Sequence, residues 1–176
     1  INGQTVSGAT LNNAVSDDSL KAVLAAIDAA NSDGTPLATQ QQLADVVKAA
    51  LDAYTAAITK IANYAASKTN PVPTVDDYTA AGVSGVSSSN LAAINDAIDS
   101  QKGGDSIAGN DNDRLGADST SDVQAIVNAY NAILAEANDT TGVAGDTTLD
   151  ATPDGDPTAA QYAAIGADIG AAAIDA

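Results

Sequence analysis

Apolar residues recur along the chain with the spacing of an amphipathic helix, in two similar stretches. In the first stretch, stripes at i, i+3, i+4 and i+7 predict two long helices, over residues 17–31 and 39–67, and a short third helix is expected over residues 74–81. We expect Gly82 to end the short helix. The two stripes consist of Leu20, Val23, Leu24 and Ile27 in the first helix, and of Leu43, Val47, Leu51, Tyr54, Ile58 and Ile61 in the second.

The second stretch predicts the same three helices. Serine and threonine cap helices by accepting hydrogen bonds from free N–H groups of the first turn. We therefore expect Ser88 or Ser89 to cap the helix that carries Leu91, Ile94 and Ile98, and Thr120 or Ser121 to cap the helix that carries Val123, Val127, Tyr130 and Leu134. A short helix over 157–165 is expected to end at Gly166.

The two stretches match as an internal repeat. Three blocks correspond in the same order, at offsets of 71, 76 and 84 residues, and each increase in the offset falls between helical segments. The blocks are Ala14–Asp28 with Gly85–Asp99, Leu51–Ile58 with Val127–Leu134, and Pro73–Gly82 with Pro157–Gly166. We predict an all-α protein of tandem three-helix-bundle-like repeats, two copies with a truncated third. Its expected units are residues 1–82 and 83–166, with residues 167–176 as the start of a further unit.

Composition narrows the classes of function. The chain has 176 residues, 23 acidic and 6 basic side chains, a net charge of −17, and neither cysteine nor histidine. It therefore has no thiol nucleophile, disulfide or histidine-based catalytic triad. The negative charge repels nucleic-acid phosphates and anionic membrane surfaces, and no apolar run is long enough to span a bilayer. We expect a protein that is not an enzyme, binds no nucleic acid and does not insert into a membrane.

One sequence pattern resembles a known module type. Residues 73–86 read Pro-Thr-x-x-x-Tyr-x-x-x-Gly-Val-x-Gly-Val, and residues 90–95 read Asn-Leu-Ala-Ala-Ile-Asn. This pattern resembles the helical repeat modules of large bacterial extracellular (RTX-type) surface adhesins, and the resemblance covers most of residues 14–176. It implies an extracellular, cell-surface location and a spacer or presenting role in cell adhesion or biofilm. It implies no catalytic residues.

Two acidic loops are candidate calcium sites. Calcium binds six to eight hard oxygen ligands, which alternating Asp and Asn residues in a sharply turning loop can supply. The loop around residues 105–122 follows part of an EF-hand spacing, although Leu115 occupies the fifth position. The loop at 146–156 is a weaker candidate, because Thr152 and Gln161 occupy its third and twelfth positions. The alternative for both is a solvated acidic loop. The candidate ligands are Asp111, Asp113, Asp118, Asp122, Asp150, Asp154 and Asp156.

Paired carboxylates and tyrosines are the remaining polar candidates. The pair Asp76–Asp77 lies at an expected helix start, where capping and the helix dipole explain it better than acid–base chemistry does. The matched tyrosines of the repeat, Tyr54 with Tyr130 and Tyr78 with Tyr162, are interpreted as core residues whose hydroxyls reach the rim.

These observations favour a structural spacer or presenting module of an extracellular bacterial adhesin, without catalysis. Its expected partners are neighbouring modules of the same polypeptide or further copies of itself, with a host or matrix ligand as an open question. Two alternatives remain at this point. One is a helical module that binds a ligand at the cell surface, which an exposed apolar patch would favour. The other is a subunit of an extracellular filament, which requires self-complementary ends.

Overall fold

The computed structural model describes residues 5–6, 9–10, 16–32, 37–68, 71–101, 116–137 and 157–167. Within these ranges the fold is helical, as the periodicity predicts. The only strands there, β1 (Thr5–Val6) and β2 (Ala9–Thr10), form a two-residue antiparallel pair. The six helices of these ranges are α1 (Asp17–Ser32), α2 (Gln40–Ala66), α3 (Val75–Ala80), α4 (Leu91–Ser100), α5 (Thr120–Ala137) and α6 (Ala159–Ala164).

Most helices begin at the residues that the sequence indicates. Thr39 precedes α2, and its hydroxyl accepts a hydrogen bond from the Gln42 backbone while the Gln42 side chain returns a bond to the Thr39 backbone. This reciprocal capping box satisfies backbone donors that an isolated helix leaves free. Ser16 caps α1 in a related way, by accepting from the Ser19 backbone.

Two of the expected caps are wrong. Helix α5 is capped by Ser119, whose hydroxyl accepts from the Asp122 backbone, and not by Thr120 or Ser121. Thr120 instead uses its hydroxyl in a buried contact with another helix. At α4 the cap position is Asn90, whose side chain makes no cap bond and instead accepts from Ser87 in the preceding turn. Neighbouring hydroxyls all satisfy the sequence rule for a cap, so the backbone path decides between them.

Helices α3 and α6 have the same local structure. Each starts with a threonine capping box, Thr74 with Asp77 in α3 and Thr158 with Gln161 in α6. Each also ends at a glycine with positive φ, +75° at Gly82 and +84° at Gly166. A residue in this left-handed conformation closes a helix at low cost only when it has no Cβ. The expected helix stops at these two glycines are confirmed.

The order of packing follows the order of the chain. The first half of α2 packs against α1, and its second half packs against α3 and α4. Helix α4 also packs against α5, and α5 packs against α6. A smaller contact joins α1 to α5. The short helix α3 therefore packs on α2, the second helix of the pair α1 and α2. The short helix α6 packs in the same way on α5, the second helix of the pair α4 and α5.

The main hydrophobic core includes residues from both sides of position 82. It combines the second half of α2 and helix α3 with α4 and α5, and a smaller cluster lies between α1 and the first half of α2. One core thus extends across the predicted boundary, and the division of the chain at 82/83 stays a prediction about the repeat. The fully buried side chains of the main core include Ile61, Tyr78, Ile94, Ile98, Val123, Ile126 and Val127.

Helix α1 buries only part of its apolar stripe. Val23 is 5% exposed and packs against α2, whereas Leu20 and Leu24 are 42% and 56% exposed. The buried side of α1 is centred on Ser19 and Val23, so these two leucines lie at its edge. At the matched positions of α4, Leu91 is half-buried and Asn95 is 4% exposed.

No helix within the described ranges has the combined length and apolarity that crossing a membrane requires.

Candidate functional site

Most of the candidate calcium ligands lie outside the described residues. These are Asp111, Asp113, Asp150, Asp154 and Asp156. Of the two that are described, Asp118 is exposed, and Asp122 accepts a hydrogen bond from the Ser119 hydroxyl at the start of α5. Within the described ranges no three acidic side chains converge as a metal site requires. The calcium hypothesis therefore stays a prediction about the two acidic loops.

The carboxylate of Asp77 ties α3 to α2. It accepts from the backbone and hydroxyl of Thr74, both at 2.7 Å, and from the Lys60 ammonium at 2.5 Å. Partial burial raises the pKa of Asp77, but the bonds from Lys60 and Thr74 stabilise the charged form more strongly, so the pKa lies below its ordinary value. Asp77 thus acts as a helix cap and an ion-pair partner at the same time.

A buried polar chain joins α3 to α4. The Tyr78 hydroxyl donates to Oδ1 of Asn95 at 2.6 Å, and the amide nitrogen of Asn95 donates to the carbonyl of Pro73 at 3.0 Å. Tyr78 is fully buried and Asn95 is 4% exposed. Burial raises the pKa of Tyr78, with smaller contributions from Tyr64 and Asp77, so its hydroxyl keeps the proton that it donates. The expectation that this hydroxyl reaches the rim is wrong, because α4 covers it.

A second buried contact joins α3 to α5. The hydroxyl of Thr120 donates to the Ala81 carbonyl at 2.7 Å and lies 3.2 Å from the Tyr54 hydroxyl. The Ala81 carbonyl belongs to the last turn of α3, where intrahelical partners end. Thr120 therefore supplies the donor that this turn requires, and it does so from the start of α5, 39 residues further along the chain.

Polar side chains also clamp the segment after α3. The Gln124 side chain accepts from the Ser84 backbone N–H at 2.8 Å and donates to the Ser84 carbonyl at 3.1 Å. Lys68, just after the last turn of α2, forms ion pairs with Asp96 and Asp99 of α4 at 2.8 and 3.6 Å. These groups lie on the surface, where each contributes little to stability.

We call the contact formed by α3 with α4 and α5 the joint. Its hydrogen bonds are formed by the side chains of Tyr78, Asn95 and Thr120 and by the backbone carbonyls of Pro73 and Ala81. Sequence reasoning identified Tyr78 as a core residue but missed Asn95 and Thr120. Asn95 itself was the sequence signal for this contact, since it is a polar residue between Ile94 and Ile98 on an apolar helix face. Buried amides are normally hydrogen-bonded, so a buried asparagine there indicates a polar partner.

The chain was compared with known proteins. It matches no protein-family model, no curated protein and no solved structure.

Proposed function

We propose that this chain is a structural spacer or presenting module of an extracellular bacterial adhesin, built as tandem helical repeats. The observation that carries the proposal is the joint, in which α3 of the first unit is held by buried hydrogen bonds to α4 and α5 of the second. A spacer has to transmit its orientation from one unit to the next. A shared core with fixed polar contacts does this, whereas a flexible linker does not.

The repeat supports the same proposal. In repeat proteins each unit packs mainly on its neighbours, and a common core extends from unit to unit. Helices α3 and α6 share their caps and their glycine stops, and each packs on the preceding long helix. These shared features support a three-helix unit, α1–α2–α3 and again α4–α5–α6. The acidic surface, with a net charge of −17, suits a module that stays separate from other macromolecules.

The proposal includes an extracellular, cell-surface location, which rests on the resemblance. It also includes calcium binding, which rests on the acidic loops. Calcium would bind oxygen ligands in those loops and reduce their freedom beside the helices. Of the described residues, Asp118 and Asp122 are the candidates, and Asp122 already serves the cap of α5.

A display experiment tests the spacer role. The chain is expressed on the surface of a non-adherent bacterium in three forms: alone, beneath a domain of known binding specificity, and as two tandem copies beneath that domain. A spacer confers no adhesion by itself, and the second copy extends the reach of the binding domain. Adhesion by the chain alone to host cells or matrix would favour the ligand-binding alternative and contradict the spacer role.

A scattering experiment tests the rigidity that the proposal needs. One-copy and two-copy chains are compared by small-angle X-ray scattering. A rigid array increases its maximum dimension by a constant amount per copy, whereas flexibly linked units increase it roughly as the square root of the number of copies. The second behaviour would contradict a spacer.

A further inference from the structure

Helix α1 is attached to α2 through a small apolar cluster. Val23 of α1 packs there with Val47 and Leu51 of α2, and two half-buried side chains, Ile27 and Ala50, lie against them. Three described residues are buried in this cluster, compared with fourteen in the main core. Because hydrophobic stabilisation grows with the apolar area removed from water, the small cluster holds α1 much less strongly than the main core holds α4 and α5.

The polar side chains of α1 form hydrogen bonds only close to their own position in the sequence. The hydroxyls of Ser16 and Ser19 bond to each other at the start of the helix, and the Ser32 hydroxyl donates to the Asp28 carbonyl at its end. Among the described residues, no hydrogen bond or ion pair joins a side chain of α1 to another helix, and the smaller contact of α1 with α5 is no exception. Only van der Waals and hydrophobic contacts therefore attach α1 there.

The second half of α2 is attached by polar contacts as well. Lys60 pairs with Asp77 of α3. Lys68, just after α2, pairs with Asp96 of α4. The joint adds buried hydrogen bonds between α3 and α4 and between α3 and α5. The described helices thus differ in how they are held, and α1 lacks both the large core and the polar contacts.

We infer that α1 detaches from α2 as a unit while the main core and the joint stay closed. Proteins open in cooperative parts, and the parts with the fewest buried contacts open at the lowest free energy. A free helix of 16 residues is marginal in water, so α1 loses its helical structure when it is released.

The release of α1 exposes an apolar face of α2. Val47 and Leu51 are 2% and 5% exposed in the closed form, and both lose the cover of α1 when it detaches. Helix α2 stays anchored by its second half, so this face becomes accessible in an otherwise folded chain. Helix α1 is therefore a releasable cover. This property goes beyond the proposed spacer role, which depends on the joint and not on α1.

Thiol labelling tests the inference, and the chain offers a clean background because it contains no cysteine. Val47→Cys places a thiol beneath α1, and Val127→Cys is the matched control, since Val127 is a buried valine of the main core. When closing is fast compared with labelling, the labelling rate is proportional to the population of the open form. We expect Val47→Cys to label at least about 100-fold faster than Val127→Cys. Its rate should also rise less steeply with urea, because release of α1 exposes less surface than global unfolding.

Two further substitutions identify the opening. Val23→Ala removes part of the small cluster and should speed the labelling of Val47→Cys at least about fivefold. Ile98→Val weakens the main core, which stays formed when α1 detaches. It should therefore speed the labelling of Val127→Cys about twofold or more and leave the labelling of Val47→Cys unchanged. Circular dichroism of each variant checks that the helices persist.

Two results would overturn the inference. If the chain opens only by unfolding completely, Val47→Cys and Val127→Cys label at similar rates with the same urea dependence, and Ile98→Val speeds both. If Val47→Cys labels rapidly but Val23→Ala does not change its rate, then a local fluctuation of α2 exposes the thiol without release of α1.

Hydrogen exchange of the unsubstituted chain provides a readout that does not depend on any variant. The backbone amides of α1 should be at least about 100-fold less protected than those of α4 and α5. Equal protection of α1 and the main-core helices would contradict the release of α1. Neither result changes the outcome expected of the display experiment, so this inference and the spacer role fail separately.

Discussion

The hydroxyl of Tyr78 and the side-chain oxygen of Asn95 lie 2.6 Å apart in the interior, between α3 and α4. Both side chains are buried, and the amide nitrogen of Asn95 donates a hydrogen bond to the Pro73 carbonyl. A buried polar chain of this kind stabilises the fold only while every member keeps its partner. The same pair also fixes one rotational setting of α4 on α3, because an apolar contact alone would permit several.

Removing the Tyr78 hydroxyl should destabilise the chain. In Tyr78→Phe the ring still fills its site, but Oδ1 of Asn95 loses its donor in a buried position, which costs about 1–3 kcal/mol. For a chain of this size that corresponds to a fall in Tm of roughly 2–4 °C per kcal/mol. Thermal unfolding followed by circular dichroism measures it. Tyr130→Phe is the matched control, because Tyr130 is half-buried and its hydroxyl forms no hydrogen bond among the described residues.

Removing the Thr120 hydroxyl tests the contact with α5. Thr120→Val keeps the shape of the side chain but leaves the Ala81 carbonyl without its buried donor, so we expect a loss of about 1–3 kcal/mol in unfolding free energy. Urea denaturation measures this loss. Thr79→Val is the control, since the Thr79 hydroxyl is exposed and donates to Val75 within its own helix. Equal losses in the two variants would contradict a special role for Thr120.

The two helix-ending glycines should differ in their tolerance of alanine. At Gly82 an added Cβ would have ordinary van der Waals space, with its nearest atoms at 3.7 Å. Gly82→Ala should therefore lower the unfolding free energy only by the cost of the left-handed backbone conformation, about 1–2 kcal/mol. At Gly166 the added Cβ also clashes with the Cβ and Oγ of Ser100, which adds about 1–3 kcal/mol of overpacking. Chemical denaturation of both variants compares them.

A third variant separates strain from clash at this position. In the Ser100→Gly background, Gly166→Ala should cost about as much as Gly82→Ala does. If Gly166→Ala is no more harmful than Gly82→Ala in the wild-type background, then Gly166 does not lie against Ser100 at the end of α4.

How far the sequence predicts this fold depends on whether the signal is local. Helices α3 and α6 follow from a few neighbouring residues, a threonine cap and a glycine stop, and both were predicted to within a residue or two. The burial of α1 was harder, because Leu20 and Leu24 belong to its apolar stripe and only the neighbouring helices determine which part of the stripe is covered.

The polar contacts of the joint illustrate the other limit. Asn95 contacts residues 17 and 22 positions away, and Thr120 contacts a carbonyl 39 positions away. A single sequence shows that each is polar, but it does not pair them with a partner. Thr120 also satisfies the sequence rule for a helix cap, which is why it was assigned that role instead of the buried one. The calcium prediction stays a prediction for a different reason, because five of its seven residues lie outside the described part of the chain.

Acid should weaken the attachment of α3 to α2 through Asp77. The pKa of Asp77 is lower in the folded chain than in the unfolded one, so its contribution is complete above the unfolded value, near 4, and disappears as the pH falls through the folded value. Asp77→Asn keeps an acceptor for Thr74 but removes the charge that pairs with Lys60. At pH 7 we expect it to cost about 0.5–1 kcal/mol, and we expect wild type and variant to converge as the pH falls below the folded pKa of Asp77.

Urea denaturation at several pH values measures this difference. Asp52→Asn is the control, since Asp52 forms a comparable pair with Lys48 on the exposed surface of α2, without a capping role. A difference between Asp77→Asn and wild type that stays the same from neutral pH into the acid range would contradict the ionised carboxylate as the source of the stability.

Calcium should stabilise the chain if the acidic loops bind it. A ligand that binds only the native state raises the unfolding free energy by RT ln(1 + [L]/Kd), so calcium at about 100 times its Kd adds about 2.7 kcal/mol and raises Tm by several degrees. The measurement is a thermal melt by circular dichroism in EDTA and then in excess calcium, with magnesium at equal concentration as the control for screening of the −17 charge. Asp111→Asn/Asp113→Asn should abolish the calcium-specific part of the shift. Equal shifts in calcium and magnesium, or none in either, would contradict a calcium site and leave the spacer to depend on its helix contacts alone.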